Sequence, residues 1–256
     1  MSNIGKAFAG GKAFIAFITC GDPDTETTVK SVLAAAENGA DLIELGIPFS
    51  DPTAEGPVIR EASERALRGG ITADKIFDLV REIRKSTDIP LVFMTYANVV
   101  FSYGTERFLE TCRDIGIDGL ILPDVPFEER EEFLPACRKY GVDWISFIAP
   151  TSGERIAGIA REAEGFLYVV SSLGVTGERE KIGTDLASVI GEARKYTSVP
   201  CAVGFGISTP EQAGEMGKLA DGVIVGSAIV RLLAEYGREA PAQIGRYVRS
   251  MKEALR

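Results

Sequence analysis

Glu44 is a carboxylate inside an otherwise apolar segment, DLIELGIP at residues 41–48, close to the C-terminal end of a predicted strand. Strand alternation places Leu42 and Glu44 on one face and Ile43 and Leu45 on the other. If the second face meets helices, Glu44 points into an enclosed site, where loss of water raises its pKa toward a value useful for proton transfer. We therefore predict Glu44 as a general acid/base. The alternative is a structural glutamate that pairs with an arginine or simply reaches water at the end of the strand.

The loop that follows this strand, FSDPTAEGP at residues 49–57, carries two further carboxylates. Two carboxyl groups in different surroundings can divide the acid and base roles between them. We predict Glu55 as a second catalytic carboxylate. Asp51 fits a turn or a helix cap equally well.

Glycine turns follow the last two predicted strands, each just before a helical segment: 204–206 is GFG and 226–227 is GS. Glycine lets backbone N–H groups approach an anion closely, and the N-terminus of a helix favours phosphate. We predict that Gly206, Gly226 and Ser227 bind a phosphate group. The alternative is that these glycines only permit tight connections between strand and helix.

The residue types that are missing narrow the chemistry further. The chain has no histidine, which excludes Ser-His-Asp triads, Cys-His dyads and histidine-ligated metals. No lysine falls at the C-terminal end of a predicted strand, so an aldolase that forms a Schiff base is disfavoured. The carboxylates are scattered rather than grouped with other ligands, and we expect no metal site.

The elements that must position these residues form a regular alternation. Short apolar runs rich in Val, Ile and Phe predict eight strands, separated by amphipathic helical segments, at residues 13–19, 42–46, 91–96, 119–122, 144–149, 166–171, 201–204 and 222–225. Eight such units close a parallel barrel covered by helices. We predict one α/β domain over residues 1–256, a (β/α)₈ TIM barrel with an extra N-terminal helix at the opposite mouth and an additional helix, 57–67, after the second strand.

In such a barrel the strand C-terminal ends build the active site, and several apolar residues lie at or near those ends. We predict that they line an apolar substrate pocket, although each one taken singly also fits the barrel core. These residues are Phe17, Tyr96, Ile121, Ile148 and Tyr168.

Composition limits the partners and the compartment. The chain carries 28 basic and 37 acidic residues and a net charge of −9, which disfavours binding to nucleic acid. Four cysteines lie far apart without a CxxC pair, which predicts neither zinc nor disulfides and fits a reducing cytoplasm. No apolar run reaches the roughly 20 residues that span a bilayer, so we expect no membrane association.

Four motifs give the sequence a family resemblance: FITCGDP at 17–23, ELGIPFSDP at 44–52, DVP at 124–126 and GVTG at 174–177. They resemble the tryptophan synthase α subunit, in order and over essentially the whole chain. The resemblance implies a lyase of tryptophan biosynthesis that cleaves indole-3-glycerol phosphate to indole and glyceraldehyde 3-phosphate. An indole ring protonated at carbon three supplies the electron sink that a site without lysine or metal requires.

The resemblance also assigns roles to individual residues. Glu44 matches the catalytic acid/base, and Glu55 matches an aspartate that assists at the indole nitrogen, with one methylene more. Tyr168 matches the tyrosine that positions the glutamate, and Thr176 matches a threonine of a lid that closes over the substrate. The positions matching the phosphate-binding residues are Gly177, Gly206, Gly226 and Ser227.

A partner is implied as well, a β subunit that carries pyridoxal phosphate and receives indole within an α₂β₂ tetramer. The docking loops would lie around residues 51–52 and Pro126, and this chain would bind no cofactor of its own. Two alternatives remain: another phosphate-binding barrel enzyme, or a regulatory partner of the β subunit whose own catalysis is weak because Glu55 replaces the family aspartate.

Overall fold

The computed structural model describes residues 3–170, 179–204 and 206–256, without the side chains of 179–185. Within these ranges the strands form one parallel sheet. The strand segments are β1 (Ala13–Thr19), β2 (Leu42–Gly46), β3 (Leu91–Met94), β4 (Gly119–Ile121), β5 (Asp143–Trp144), β6 (Ser146–Ile148), β7 (Leu167–Val170), β8 (Cys201–Gly204) and β9 (Gly222–Val225).

The sheet curls back on itself. Its order is β5-β4-β3-β2-β1-β9-β8-β7-β6, and the two segments at its ends, β5 and β6, are consecutive in the chain and separated only by Ile145. The Ile145 N–H donates to the carbonyl oxygen of Leu120 at 3.0 Å, which holds the break against β4. The predicted eight-stranded barrel is therefore confirmed, with its fifth strand interrupted. The third strand ends at Met94, two residues before the predicted end.

Helices surround this sheet, and both predicted additions to the basic barrel are confirmed. The short N-terminal helix is α1 (Ile4–Ala9), and the additional helix after β2 is α3 (Pro57–Arg68). The other α-helices are α2 (Thr25–Glu37), α4 (Ala73–Arg84), α5 (Ala97–Tyr103), α6 (Thr105–Ile115), α7 (Leu134–Tyr140), α8 (Arg155–Arg161), α9 (Arg179–Ala193), α10 (Pro210–Leu219), α11 (Ser227–Tyr236) and α12 (Ala240–Glu253). Short 3-10 helices cover Phe127–Glu132, Pro150–Ser152 and Gly237–Glu239. None of the helices in the described ranges has the length and apolarity needed to cross a bilayer.

Two apolar layers follow from the alternation along the strands. Leu42 belongs to the cluster inside the barrel, together with Ile15, Val92 and Ile224. The neighbouring residues Ile43 and Leu45 of β2 belong to the larger cluster between the sheet and the helices. Burial of both layers removes apolar surface from water and is the main favourable contribution to folding. Glu44, between Ile43 and Leu45, therefore faces the barrel interior.

The helix α1 closes the N-terminal mouth of the barrel. Ile4 is fully buried inside, and its Cδ1 atom lies so close to the backbone of Gly119 and Gly165 that a Cβ at either glycine would come within about 3 Å of it. This packing keeps water out of the lower end of the barrel, so the opposite mouth is the open one.

A buried carboxylate, Asp118, ties this lower end together. It accepts hydrogen bonds from the N–H of Asn3 at 2.9 Å and from the N–H of Leu91 at 3.0 Å. The guanidinium of Arg84 lies 3.3 Å from its Oδ2 atom, and burial lowers the pKa of Arg84. Asp118 thus joins the residue before α1, the start of β3 and the last residue of α4.

Replacing Asp118 by alanine is expected to lower the free energy of unfolding by roughly 3–5 kcal/mol, because a largely buried guanidinium loses its countercharge. The N–H of Leu91 also loses its side-chain acceptor. Urea unfolding followed by circular dichroism measures the change. The control is Glu26→Ala, which breaks an exposed pair with Lys30 and should leave the free energy of unfolding nearly unchanged. Equal losses in the two variants would contradict a structural role for Asp118.

Candidate active site

A cavity of about 430 Å³ opens at the C-terminal ends of the strands. It combines two carboxyl groups, two aromatic rings and a glycine turn. The residues that contribute them are Glu44, Glu55, Phe17, Tyr168, Gly226 and Ser227. The predicted site therefore forms at the predicted end of the barrel.

Glu44 sits on β2 between Phe17 of β1 and Val92 of β3, its partners in the strand register. Its side chain is 1% exposed. Burial, and to a smaller extent the nearby charge of Glu55, together raise its pKa to about 8. Its Oε2 atom has no hydrogen-bond partner among the described residues. The structural ion pair is therefore not seen, and the group is poised to hold a proton near neutral pH.

Glu55 reaches the same cavity from the loop between β2 and α3. Partial burial raises its pKa to about 7, and its Oε2 atom also lacks a partner within the described part of the chain. The loop is held in place next to it, since the N–H of Ala54 donates to the hydroxyl of Tyr96 at 3.1 Å. The Tyr96 ring in turn stacks on Phe49 with centroids 5.1 Å apart. Tyr96 therefore positions the loop that carries Glu55.

Tyr168 lies on β7, which is opposite β2 in the ring of strands, because β1, β9, β8 and β7 follow β2 in the sheet order. The pKa of its hydroxyl is raised well above the usual value, first by burial and then by the charge of Glu44. The rings of Phe17 and Tyr168 each pack against a glycine, at a position where a larger residue would clash. A Cβ on Gly204 would lie 2.5 Å from the Tyr168 hydroxyl, and one on Gly46 would lie 2.5 Å from the Phe17 ring. These close approaches explain why glycine ends β2 and β8.

The start of α11 also lines the cavity. Its N-cap is Gly226, which provides no side-chain hydrogen bond, so the first N–H groups of this ten-residue helix have no cap. The start of α10 differs, because Thr209 and Gln212 form a reciprocal capping box there. Gly206, at a φ of 74°, and Ser227 line the same cavity. The uncapped N–H groups and the helix dipole at α11 favour a phosphate.

The structure brings together seven of the twelve predicted site residues: Phe17, Glu44, Glu55, Tyr168, Gly206, Gly226 and Ser227. Thr176 and Gly177 lie outside the described residues. The remaining three do not line the cavity. Tyr96 follows the end of β3 and serves the loop instead, and Ile121 lies within the interior cluster, where Met94 packs against it.

Ile148 requires a correction, because it faces the helices. The register pairs it with Val169, and both residues belong to the outer apolar cluster. Its neighbour Phe147 pairs with Tyr168 and faces inward. Phe147 lines a second cavity of about 360 Å³, which shares Ala54 and Met94 with the cavity that holds Glu44.

Sequence reasoning also missed several residues that line the cavity: Met94, Ile59, Ile207, Ser208 and Arg231. Met94 was missed because the third strand was expected to continue to residue 96. Arg231 had a usable signal, since it lies four residues after Ser227 and therefore on the same face of α11.

A (β/α)₈ barrel that buries two carboxyl groups beside an uncapped helix N-terminus has the architecture of an acid/base enzyme for an anionic substrate. Sequence comparison agrees with this class of enzyme, because the family model for the tryptophan synthase alpha chain matches residues 6–256. The chain belongs to this family.

Relatives support the assignment along the full length. A tryptophan synthase alpha chain from Lacticaseibacillus casei is 51% identical over 255 residues, which cover 100% of this chain and 96% of that protein. The crystal structure of tryptophan synthase subunit alpha from Legionella pneumophila has a TM-score of 0.90 at 37% identity and covers 100% of this chain and 98% of that one. A chain of the tryptophan synthase complex from Pyrococcus furiosus has a TM-score of 0.85 at 35% identity, with 94% and 98% covered.

The buried carboxyl group should make the stability of the protein depend on pH. Folding raises the pKa of Glu44 from 4.5 to about 8. Below about pH 4.5 the carboxyl group is protonated in both the folded and the unfolded protein, and its contribution to the free energy of unfolding is fully present. This contribution is lost as the pH rises through about 8, because the unfolded protein ionises the group more readily. Glu44→Gln removes this loss. At about pH 9 the variant should exceed the wild type in free energy of unfolding by roughly 3–5 kcal/mol, and at about pH 4 the two should be similar.

Denaturant unfolding at the two pH values measures this difference. Glu253→Gln, at an exposed position of α12, is the matched control and should follow the wild type at both. A Glu44→Gln advantage that is independent of pH would show that folding does not raise the pKa of Glu44.

Proposed function

We propose that this protein is a tryptophan synthase α subunit that cleaves indole-3-glycerol phosphate to indole and glyceraldehyde 3-phosphate. The observation that carries the proposal is the Glu44 carboxyl group, buried and without a partner among the described residues, in one cavity with the uncapped start of α11. Membership of the family agrees with it. The site thus offers a proton donor at one end and an anion cradle at the other.

The proposed reaction is a retro-aldol cleavage. The protonated Glu44 donates its proton to carbon three of the indole ring, which leaves the positive charge at the ring nitrogen. The glycerol hydroxyl next to the ring then loses its proton to a carboxylate and becomes the aldehyde. The electron pair of the broken carbon–carbon bond returns to the ring and restores indole. Proton transfer by a positioned carboxyl group contributes about 10²–10⁴-fold to such a rate.

Glu55 is proposed to act at the indole nitrogen, where its carboxylate stabilises the positive charge. Burial raises the pKa of both groups, and that of Glu44, the more deeply buried one, is raised further, so Glu55 is the first of the two to ionise as the pH rises. This order is the one that a division of roles requires. Glu55 has one methylene more than the family aspartate, and its loop is set by the contact between Ala54 and Tyr96.

Substrate binding is proposed to follow the two ends of the cavity. Phe17, Tyr168 and Met94 line the cavity and are proposed to offer apolar surface to the ring. Gly206, Gly226 and Ser227 line the same cavity and are proposed to bind the phosphate. Contributions of Thr176 as a lid residue and of Gly177 to the phosphate site rest on the family resemblance.

The partner is proposed to be a β subunit, in an α₂β₂ tetramer, and the related Pyrococcus furiosus structure is described as a complex. We place the docking face at the loops around residues 51–52 and Pro126. Phe101 is half-exposed and packs edge-on against Phe133, just after the 3-10 helix Phe127–Glu132, and could extend this face with apolar surface. Pyridoxal phosphate is assigned to the partner, and this chain is proposed to work without a cofactor.

A cytoplasmic location is proposed on the basis of the thiols. All four cysteines, Cys20, Cys112, Cys137 and Cys201, are buried and unpaired. Free thiols of this kind are typical of a reducing compartment.

Purified protein mixed with indole-3-glycerol phosphate is expected to release indole and the aldehyde in equal amounts, alone and more rapidly with a β subunit. Glu44→Gln should lower kcat by about 10²–10⁴-fold, because the glutamine amide cannot act as the proton donor. Separate assays of indole and glyceraldehyde 3-phosphate measure both products. Glu253→Gln again provides a control with the same chemical change at an exposed position.

Absence of indole release by the wild type in both settings would contradict the proposal. If the protein then still stimulated the β reaction, the role of a regulatory partner would replace it.

The pH dependence of kcat/KM is expected to be bell-shaped. Activity should rise with pH through about 7, as Glu55 becomes a carboxylate, and fall through about 8, as Glu44 loses the proton it must donate. The limits are apparent values of the coupled pair. Steady-state assays across this range measure the profile, and Glu55→Gln should weaken the rising limb. Activity that stays constant beyond about pH 9 would rule out protonated Glu44 as the donor.

A further inference from the structure

Arg231 lies one turn after Ser227 on the same face of α11, and both residues line the cavity that holds Glu44. Among the described residues lining this cavity, Arg231 is the only basic one. Its side chain is exposed, and within ranges 3–170, 179–204 and 206–256 it forms no ion pair or hydrogen bond. A cation without a countercharge therefore stands at the rim of a cavity that contains two carboxyl groups.

The electrostatics of the cavity explain why a cation is needed there. A phosphate bound at the start of α11 shares the cavity with Glu44 and Glu55, and each carboxylate that ionises repels it. Backbone N–H groups and the helix dipole offer partial charges only. A guanidinium supplies a full positive charge and several donors that match phosphate oxygens.

The position of Arg231 is set by the packing of α11 on α12. Tyr247 of α12 lies close enough to Arg231 for the guanidinium charge to act on its hydroxyl, lowering a pKa that burial raises. The same hydroxyl donates to the carbonyl oxygen of Ser208 at 2.9 Å and anchors the turn that contains Gly206. Arg231 thus lines the same cavity as the 206–208 turn and the start of α11, the two backbone segments proposed to bind the phosphate.

We propose that Arg231 is a specificity-determining residue that pairs with the phosphate group and selects the phosphorylated substrate over the unphosphorylated one. This inference rests on the proposed function and deepens it. The helix start provides the geometry of the anion site, and Arg231 provides the charge that offsets Glu44 and Glu55. Its removal should weaken binding of the phosphate with little effect on the chemical step, which is assigned to Glu44 and Glu55.

The test compares two substrates, indole-3-glycerol phosphate and indoleglycerol, which lacks the phosphate. Arg231→Gln is expected to raise the KM for the phosphorylated substrate about 10-fold, the effect of one lost charge-assisted hydrogen bond at a partly exposed site, and to change kcat less than about 3-fold. The kcat/KM for indoleglycerol should stay within about 2-fold of the wild type. Arg231→Lys, which keeps the charge, should recover most of the loss.

Two further measurements separate the possible failures. The dissociation constant of glycerol 3-phosphate, measured by calorimetry, should rise about 10-fold in Arg231→Gln, and this readout does not require turnover. Arg246→Gln, at an exposed arginine of α12 that does not line the cavity, is the matched control and should leave all values unchanged.

If Arg231→Gln leaves both the KM and the glycerol 3-phosphate affinity unchanged, or lowers the turnover of both substrates equally, the role assigned to Arg231 is wrong. A wild type that binds glycerol 3-phosphate but turns over neither substrate would instead contradict the proposed function, while a loss of this binding in Arg231→Gln would still support the phosphate contact.

Discussion

The burial of the Glu44 carboxyl group is the constraint on which the rest of the site depends. A carboxylate removed from water without a partner is costly, so the folded protein favours the protonated form. The side chain is kept dry by Phe17 of β1, by the interior cluster beneath it and by Tyr168 from the opposite wall. The same burial raises the pKa of this group to about 8, so that it can hold a proton near neutral pH.

The walls of the cavity depend on residues that have almost no side chain. Gly46 and Gly204 end two strands on opposite sides of the barrel, and each lies under an aromatic ring that a Cβ would displace. The rings of Phe17 and Tyr168 therefore occupy space that a side chain at these positions would need. Larger residues at the two positions would displace the rings and change the shape of the cavity.

The barrel itself could be predicted from the sequence, because continuous apolar strands and amphipathic helices leave few alternatives when they alternate eight times. Glu44 was predictable for a related reason, since its apolar neighbours Ile43 and Leu45 fix the face to which it belongs. Glycine turns at the ends of the last two strands could also be placed by type and position.

Residues at the strand ends were less predictable, because a strand that is longer or shorter by one residue turns the side chains at its end to the opposite face. Tyr96 was assigned to the pocket on the expectation that β3 continues to it, whereas the strand ends at Met94. Ile148 was chosen for its type and position, yet its register with Val169 turns it outward. Arg231 was not predicted, because the phosphate-binding signal was sought only at the first residues of α11. An α-helix brings Arg231, four positions after Ser227, to the same side.

The break of the fifth strand at Ile145 has a mechanical consequence. Among the described residues, β4 is paired with β5 and β6 with β7, and no backbone ladder joins β4 to β6. The barrel thus consists of two halves. The β1–β5 half carries both carboxyl groups, and the β6–β9 half carries Tyr168 and the turns around Gly226. Between β4 and β6 the sheet has no continuous backbone ladder among the described residues. A ligand whose ring contacts the first half and whose phosphate contacts the second would link the two halves. Such a ligand would add contacts between the two halves beside the break, where among the described residues the hydrogen bond from the Ile145 N–H to the Leu120 carbonyl oxygen stands in place of a continuous ladder.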